Sequence, residues 1–403
     1  TQDGGDSETA MDNIGIGRNA GYHNVTGTKN TYVGTYAGQG ASGNSNSTNV
    51  GIGYSALLDI TTASSNTAIG NIAMENITTG STNVAVGSRA LSTATTATYC
   101  VGIGGDALFG IPAGEAVTGA VAIGIEAFKG DSNTTTAADG TVAIGQGALK
   151  YLQTGAGNVA VGYTALGSCT SGGSNVAIGE TALRDIVTGG ANVAIGRNAG
   201  QALGAAENGN ILIGMASGQS LDEGTNGTID SNIAIGKDAF TGGDLNTAST
   251  AITGNIAIGT DALNSTGTNA QTGAIAIGYQ ALTALTSGLS NVAIGWNSMD
   301  ACTTGATNTA VGTGALGGTD DGIGNVAIGA WAISSGNAGN YNIAVGEQAL
   351  TDMTGSNNIG IGFQSLFDMT SGSNNVAIGH HALRVPNAGE SSNVAIGSYA
   401  MNS

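Results

Sequence analysis

Residues 175–182 read Asn-Val-Ala-Ile-Gly-Glu-Thr-Ala, and residues 192–199 repeat them as Asn-Val-Ala-Ile-Gly-Arg-Asn-Ala. The first five letters return at Asn291–Gly295 and Asn325–Gly329. With the last glycine as position 0, the pattern falls at residues 17, 34, 53, 70, 87, 104, 124, 145, 162, 179, 196, 214, 236, 259, 278, 295, 312, 329, 346, 362, 379 and 397. Of the 21 spacings between these 22 copies, 12 equal 17 and the rest range from 16 to 23. A fixed short period is the mark of a stacked repeat architecture.

The columns carry the structural information. Position −3 is Val, Ile or Thr in all 22 copies, and position −1 is Ile or Val in all 22. Position −2 is Ala or Gly except at Tyr32 and Leu212, and position −4 is Asn in 18 copies. Position +3 is Ala or Ser. Position +4 is a large apolar residue except at Gly21, Gly38, Gly200 and Gly218. Two β-branched residues around a small one form the alternation of a short strand. The expectation is that −3 and −1 face the interior, while the small residue at −2 faces outward and lets another backbone come close. The glycine at 0, as in Gly179, Gly196, Gly295 and Gly329, suits a bend with a φ that a Cβ would penalise. Polar returns ending in Thr-Gly-x-x-Asn, such as Thr79–Asn83, are turn chemistry.

A 17-residue unit cannot bury a core alone, but a stack of them can. The reading is all-β: a parallel β-solenoid, with 1–12 as an N-terminal segment and 13–403 as a continuous repeat domain. Coils about 4.8 Å apart would make a rod on the order of 100 Å long. Asn175, Asn192, Asn291 and Asn325 would then stack into a ladder of side-chain amides. Units this short and glycine-rich exclude paired-helix solenoids, and no leucine-rich pattern is present.

Asn-Val-Ala-Ile-Gly-x-x-Ala, as in Asn175–Ala182 and Asn393–Ala400, resembles the head repeat of trimeric autotransporter adhesins (the YadA-like head), which also occurs in fibres of tailed bacteriophages. The likeness runs from about Asn13 to Ala400. It implies a left-handed parallel β-roll, a homotrimer around an axis, and surface attachment. An Ala/Gly column facing outward would supply the surface on which three chains meet. The chain departs from the family in a unit a few residues longer. It shows no heptad stalk, membrane-anchoring barrel strand, virion-attachment domain or C-terminal chaperone domain. Adhesin head, phage-fibre shaft and filament subunit all stay open at this point.

Composition narrows the function classes. Glycine supplies 71 of 403 residues, against only two prolines, which excludes collagen. Nine basic residues face 27 acidic ones, for a net charge of −18, and no basic cluster exists. Phosphate neutralisation needs Lys and Arg, so nucleic acid and anionic membrane surfaces are disfavoured as partners. No apolar run of about 18 residues is present to insert into a membrane as a helix. The acidic start Thr1–Asp6 is no signal peptide but fits what remains after one is removed, and the expected location is extracellular, at a cell surface or on a virion fibre. Cys100, Cys169 and Cys302 are too few for a disulfide framework or zinc site and read as small buried fillers.

Positions +1 and +2 vary freely and are expected to face solvent. They hold Tyr54, Tyr163, Tyr279, Trp296 and Phe363 at +1, and Tyr36, Trp331 and Tyr399 at +2. Surface aromatics of this kind can stack sugars on a cell surface, or simply decorate a turn. His380-His381 is expected to be a poor metal site, because neighbours on a strand point to opposite faces. Longer loops near 109–140 and 218–273 are places for receptor contact or neutral insertion, the second including Ser220-Leu221-Asp222-Glu223 and Asp244-Leu245. Asp320-Asp321 is a single acidic pair without the nonapeptide calcium pattern. Gly15-Ile16-Gly17 and Gly322-Ile323-Gly324 lack the context of a nucleotide loop. No catalytic set, cofactor site or metal site is expected.

The function expected is a non-enzymatic structural or adhesive fibre module. Its partners would be copies of itself and a cell-surface glycan or receptor. The alternative is a subunit of a homopolymeric extracellular filament. An ice-binding solenoid ranks behind both, because Thr is scattered rather than columnar.

Overall fold

The computed structural model describes residues 12–135, 138–221, 228–242, 251–265, 271–318, 321–384 and 389–402. Residues 1–11, Asp222, Glu223, Asp244, Leu245 and Asp320 lie outside them. The protein is an all-β parallel β-solenoid with a repeat of about 17 residues per turn. It divides into two compact units, 1–193 and 194–403. In the first unit ten three-residue strands, from Ile14–Ile16 to Val176–Ile178, each pair in parallel with the next. In the second unit eleven do so, from Ile211–Ile213 to Val394–Ile396. The pairs are in register: Val176 faces Val159, Ala177 faces Ala160 and Ile178 faces Val161.

The corner after each strand is built from alternating left-handed residues. In all 22 copies φ is positive at positions −5, 0, +2 and +4, including bulky residues such as Leu166 (50°) and Trp331 (57°). A non-glycine residue there costs about 1–2 kcal/mol. The return is a continuous set of hydrogen bonds between coils. Thr181 N–H donates to Tyr163 O at 2.9 Å, Gly179 N–H to Val161 O at 2.8 Å, and Leu166 N–H to Ala182 O at 3.0 Å. Alternating the sign of φ keeps these groups aimed along the stacking direction. Position 0 is harsher: Gly295 has φ 142°, and a Cβ there would sit 2.4 Å from Gly312 O. The bend glycine is required by conformation and by space together.

The predicted faces are reversed. Ala160, Ala177, Ala293 and Ala327 at position −2 are fully buried inside the coil. The β-branched residues at −3 and −1 face outward and are half-buried or exposed. With a large residue at +4, the interior has room only for Ala or Gly at −2. It also receives Ala at +3, Leu at +4 and, in many coils, a residue at +7 such as Ile60, Ile77 or Leu152. The exceptions prove the limit on thickness. Tyr32 at −2 is matched by Gly38 at +4, where a Cβ would lie 2.3 Å from the Tyr32 ring. Leu212 is matched by Gly218 in the same way, at 2.8 Å. Cys169 and Cys302 occupy +7 as buried thiols, as expected, and burial pushes the Cys169 thiol up to about 11.

The asparagine ladder forms as expected. Asn158 Oδ1 accepts the backbone N–H and the Nδ2 of Asn175 at 3.0 and 3.2 Å. Asn175 Oδ1 does the same for Asn192 at 3.0 and 3.1 Å. Asn175 Nδ2 also donates to Gly189 O, 2.9 Å away on the return limb of the next coil. In the second unit Asn308 N–H bonds Asn291 Oδ1, and Asn325 N–H bonds Asn308 Oδ1. All are fully buried. A buried amide left unbonded would cost about 1–3 kcal/mol; Asn175 ties strand, neighbour and return limb together, whereas Asn325 Nδ2 is buried without a hydrogen bond.

The long-spacing region near 218–273 contains more than loops. Its described parts Thr228–Asp230, Ala251–Thr253 and Gln271–Thr272 form a second parallel sheet of three strands. Ordinary coils show only isolated bridges at the equivalent place, such as Ser47 to Ser64 and Ala306 to Ile323. Extra residues there lengthen the return limb into a strand, with Ile229 and Ile252 turned inward.

Candidate functional site

Two surfaces follow from this geometry. The first is the outward face of the strands. Every strand of the main ladders places two β-branched side chains there, and no charged residue occurs at −3 or −1. Ile178 is 38% exposed, Ile294 38% and Ile328 42%. Each unit therefore carries an apolar strip on the order of 40 Å long and 10 Å wide. Monomers rarely expose uninterrupted apolar patches above a few hundred Å². All-parallel sheets, moreover, occur almost only with both faces covered. The Ala/Gly column, expected on this outer face, lies inside, and the β-branched columns lie outside. Alternation shows that two faces differ, not which of them is turned in.

The second surface is the corner, where the +1 column faces solvent as expected and the +2 column is mostly half-buried, with Ser55 and Ala216 buried. Tyr54, Tyr163, Tyr279, Trp296, Trp331 and Phe363 are all exposed there, Trp296 by half. Register stacks several of them. Tyr279 and Trp296, one coil apart, lie 6.4 Å between centroids and 12° from parallel. Tyr54 meets Tyr36 edge-on at 6.0 Å, and the Arg18 guanidinium sits 4.7 Å from the Tyr36 ring centre. Trp331 lies over Gly314, where a Cβ would be 2.4 Å from the indole. Phe363, His380, His381 and Tyr399 form the densest group.

His380 and His381 do not point to opposite faces as expected. They sit at the corner rather than on a strand, and the left-handed His381 (φ 52°) brings the rings to 4.1 Å. Partial loss of water, then the neighbouring charges of His380 and Arg384, hold the His381 imidazole below its ordinary value. Neither ring belongs to a metal-binding set: among the described residues no three His, Cys, Asp or Glu converge. No helix among them is long and apolar enough to cross a membrane.

Charged residues also pair from coil to coil. Arg89 reaches Asp106 at 2.5 Å, and Glu126 is held by Lys129 at 2.8 Å and Lys150 at 2.7 Å. Bonds from Lys129 and then Lys150 bring the Glu126 carboxyl down to about 2. What the sequence reading missed is the size exchange between −2 and +4. Its signal was present, because both exceptions at −2 belong to coils with glycine at +4.

No protein-family model matches the chain, and no curated protein matches it in sequence.

Proposed function

We propose that the chain is a non-enzymatic structural fibre module that assembles with copies of itself through its β-branched face and presents its aromatic corner for attachment. The observation that carries this is the pair of outward β-branched columns on an all-parallel sheet. Covering them would remove the apolar strip from water, worth about 25 cal/mol per Å² of area buried. A homotrimer is the assembly implied by the YadA-like resemblance, and three strips meeting on an axis would cover one another. The outward aromatic rings support the attachment half, whether on an adhesin head or a tail-fibre shaft. An extracellular or virion-surface setting goes with both.

Sedimentation of the full chain tests the assembly. The expected species is discrete, at three times the 39.0 kDa chain mass. Substituting Ile178→Lys and Ile328→Lys, one in each unit, should shift it toward monomer. A stable monomer at micromolar concentration, unchanged by these substitutions, sinks the reading. Growth into open-ended fibres with concentration would instead favour the filament subunit.

A further inference from the structure

The rings of the last coils are arranged as two walls. Phe363 and His380, both at +1, stack at 5.4 Å and 25° from parallel. His381 and Tyr399, both at +2, stack at 5.2 Å and 19°. The walls meet nearly at right angles, with His380 at 77° to His381 and Phe363 at 86° to His381. Arg384 closes one side. Its Nη1 lies 3.2 Å from His381 Nδ1 and donates to Gln364 Oε1 at 3.1 Å. Its Nε donates to Asp368 Oδ2 at 3.0 Å, and its guanidinium packs over Phe367 at 5.0 Å. An arginine held from so many sides keeps a fixed position at the solvent boundary.

We propose that this aromatic cluster binds a pyranose sugar. A sugar ring presents a face of C–H groups and a rim of hydroxyls. Exposed aromatic faces take the first, and fixed polar groups take the second. Here the exposed aromatic surface receives the C–H face, and Arg384, Gln364 and the imidazoles supply polar groups at its rim. Size agrees with this ligand class. Three coils span about 10 Å, the length of one or two sugar rings, whereas a stable protein interface needs about 800 Å² per partner. Nucleic acid also stacks on aromatic rings, but the single guanidinium is balanced by Asp368 and the chain carries −18, which repels phosphate. A metal lacks a third ligand among the described residues. The inference rests on the attachment half of the proposed function and is independent of the assembly state.

The test is saturation-transfer NMR on the full chain with four probes: galactose, mannose, N-acetylglucosamine and N-acetylneuraminic acid. At least one is expected to receive saturation at its ring C–H protons. The double substitution His380→Ala and Tyr399→Ala should abolish the transfer, while Tyr99→Ala, an exposed ring outside the +1 and +2 columns, leaves it intact. Phe363→Leu keeps an apolar side chain but removes an aromatic face, and should weaken the same probe about tenfold. It also decides the matter if the double variant fails to fold by circular dichroism. No transfer to any of the four at millimolar concentration overturns the inference, as does equal transfer from wild type and Phe363→Leu. Adhesion of the chain to cells without any sugar signal would overturn this inference and leave the attachment reading standing.

Discussion

Within the first unit, the coils headed by Asn158 and Asn175 differ from those headed by Cys100, Ala120 and Thr141. The former are spaced 17 residues apart, whereas the latter are separated by 20 and 21. The regular coils carry the amide ladder; in the others it is broken. Asn83 Oδ1 still accepts the Cys100 N–H at 2.9 Å, and the thiol lies 3.4 Å from Val117 O, where an Asn amide would have bonded. Ala120 offers no side-chain group. The Thr141 hydroxyl is buried without a hydrogen-bond partner. Their strands nevertheless pair in register, and Gly124 and Gly145 keep φ near 130°. Other coil-to-coil bonds hold the return limb instead, such as Thr134 Oγ1 to Leu152 O at 3.0 Å and Gln153 Nε2 to Asp131 Oδ2 at 2.8 Å. Strand and corner are therefore the invariant scaffold, and the ladder reinforces a return limb of fixed length.

The bend glycine therefore matters equally in both kinds of coil. Gly162→Ala would place a Cβ 2.3 Å from Gly179 O at φ 143°, and Gly124→Ala a Cβ 2.7 Å from the Gly145 carbonyl at φ 133°. Each should cost about 4 kcal/mol or more in urea unfolding. A tolerated Gly124→Ala would break the claim of a common scaffold. The size exchange comes next. Tyr32→Ala should cost about 3 kcal/mol through the cavity it leaves. Adding Gly38→Leu should restore part of that loss, since Leu57 and Leu91 occupy the same left-handed position. A double variant no better than the single would mean that the pairing is incidental.

The ladder itself is tested in both directions. Asn175→Ala leaves the amide of Asn192 short of an acceptor and should cost about 2 kcal/mol. Thr141→Asn should gain about 1 kcal/mol by replacing an unbonded hydroxyl with a ladder amide. Hydrogen exchange should then slow at Ala156 to Asn158; faster exchange there would show that the long coil cannot accept the amide. The smallest effect belongs to Glu126 in the long coils. Its folded value near 2 lies below the ordinary 4.5, so its contribution is fully present above 4.5 and fades as pH falls toward 2. For a solvent-screened group it amounts to about 0.5 kcal/mol at most. Glu126→Gln should remove that stability at pH 7 and change little at pH 2.

Much of the fold was legible in the columns because each recurring residue answers a local demand. The glycines at 0 respond to a backbone that no other residue adopts there, and Asn175 and Asn192 to a bond that repeats every coil. The candidate site was only half legible. Tyr279, Trp296 and Phe363 could be placed at the solvent corner, because their column varies. That Tyr279 stacks on Trp296, or that His380 and His381 touch, depends on coil register and on the left-handed turn at +2, neither of which a single repeat displays.

By itself, the sequence determined the period, the strand, the bend and the ladder, since each is written into 17 or so neighbouring residues and repeated. Only the tertiary structure decided which face is inside. An alternation of period two distinguishes two faces equally well in either orientation. What breaks the tie is the thickness of the closed coil: opposite Leu166 there is room for Ala160 but not for Val159 or Val161, so the β-branched columns are left on the outside.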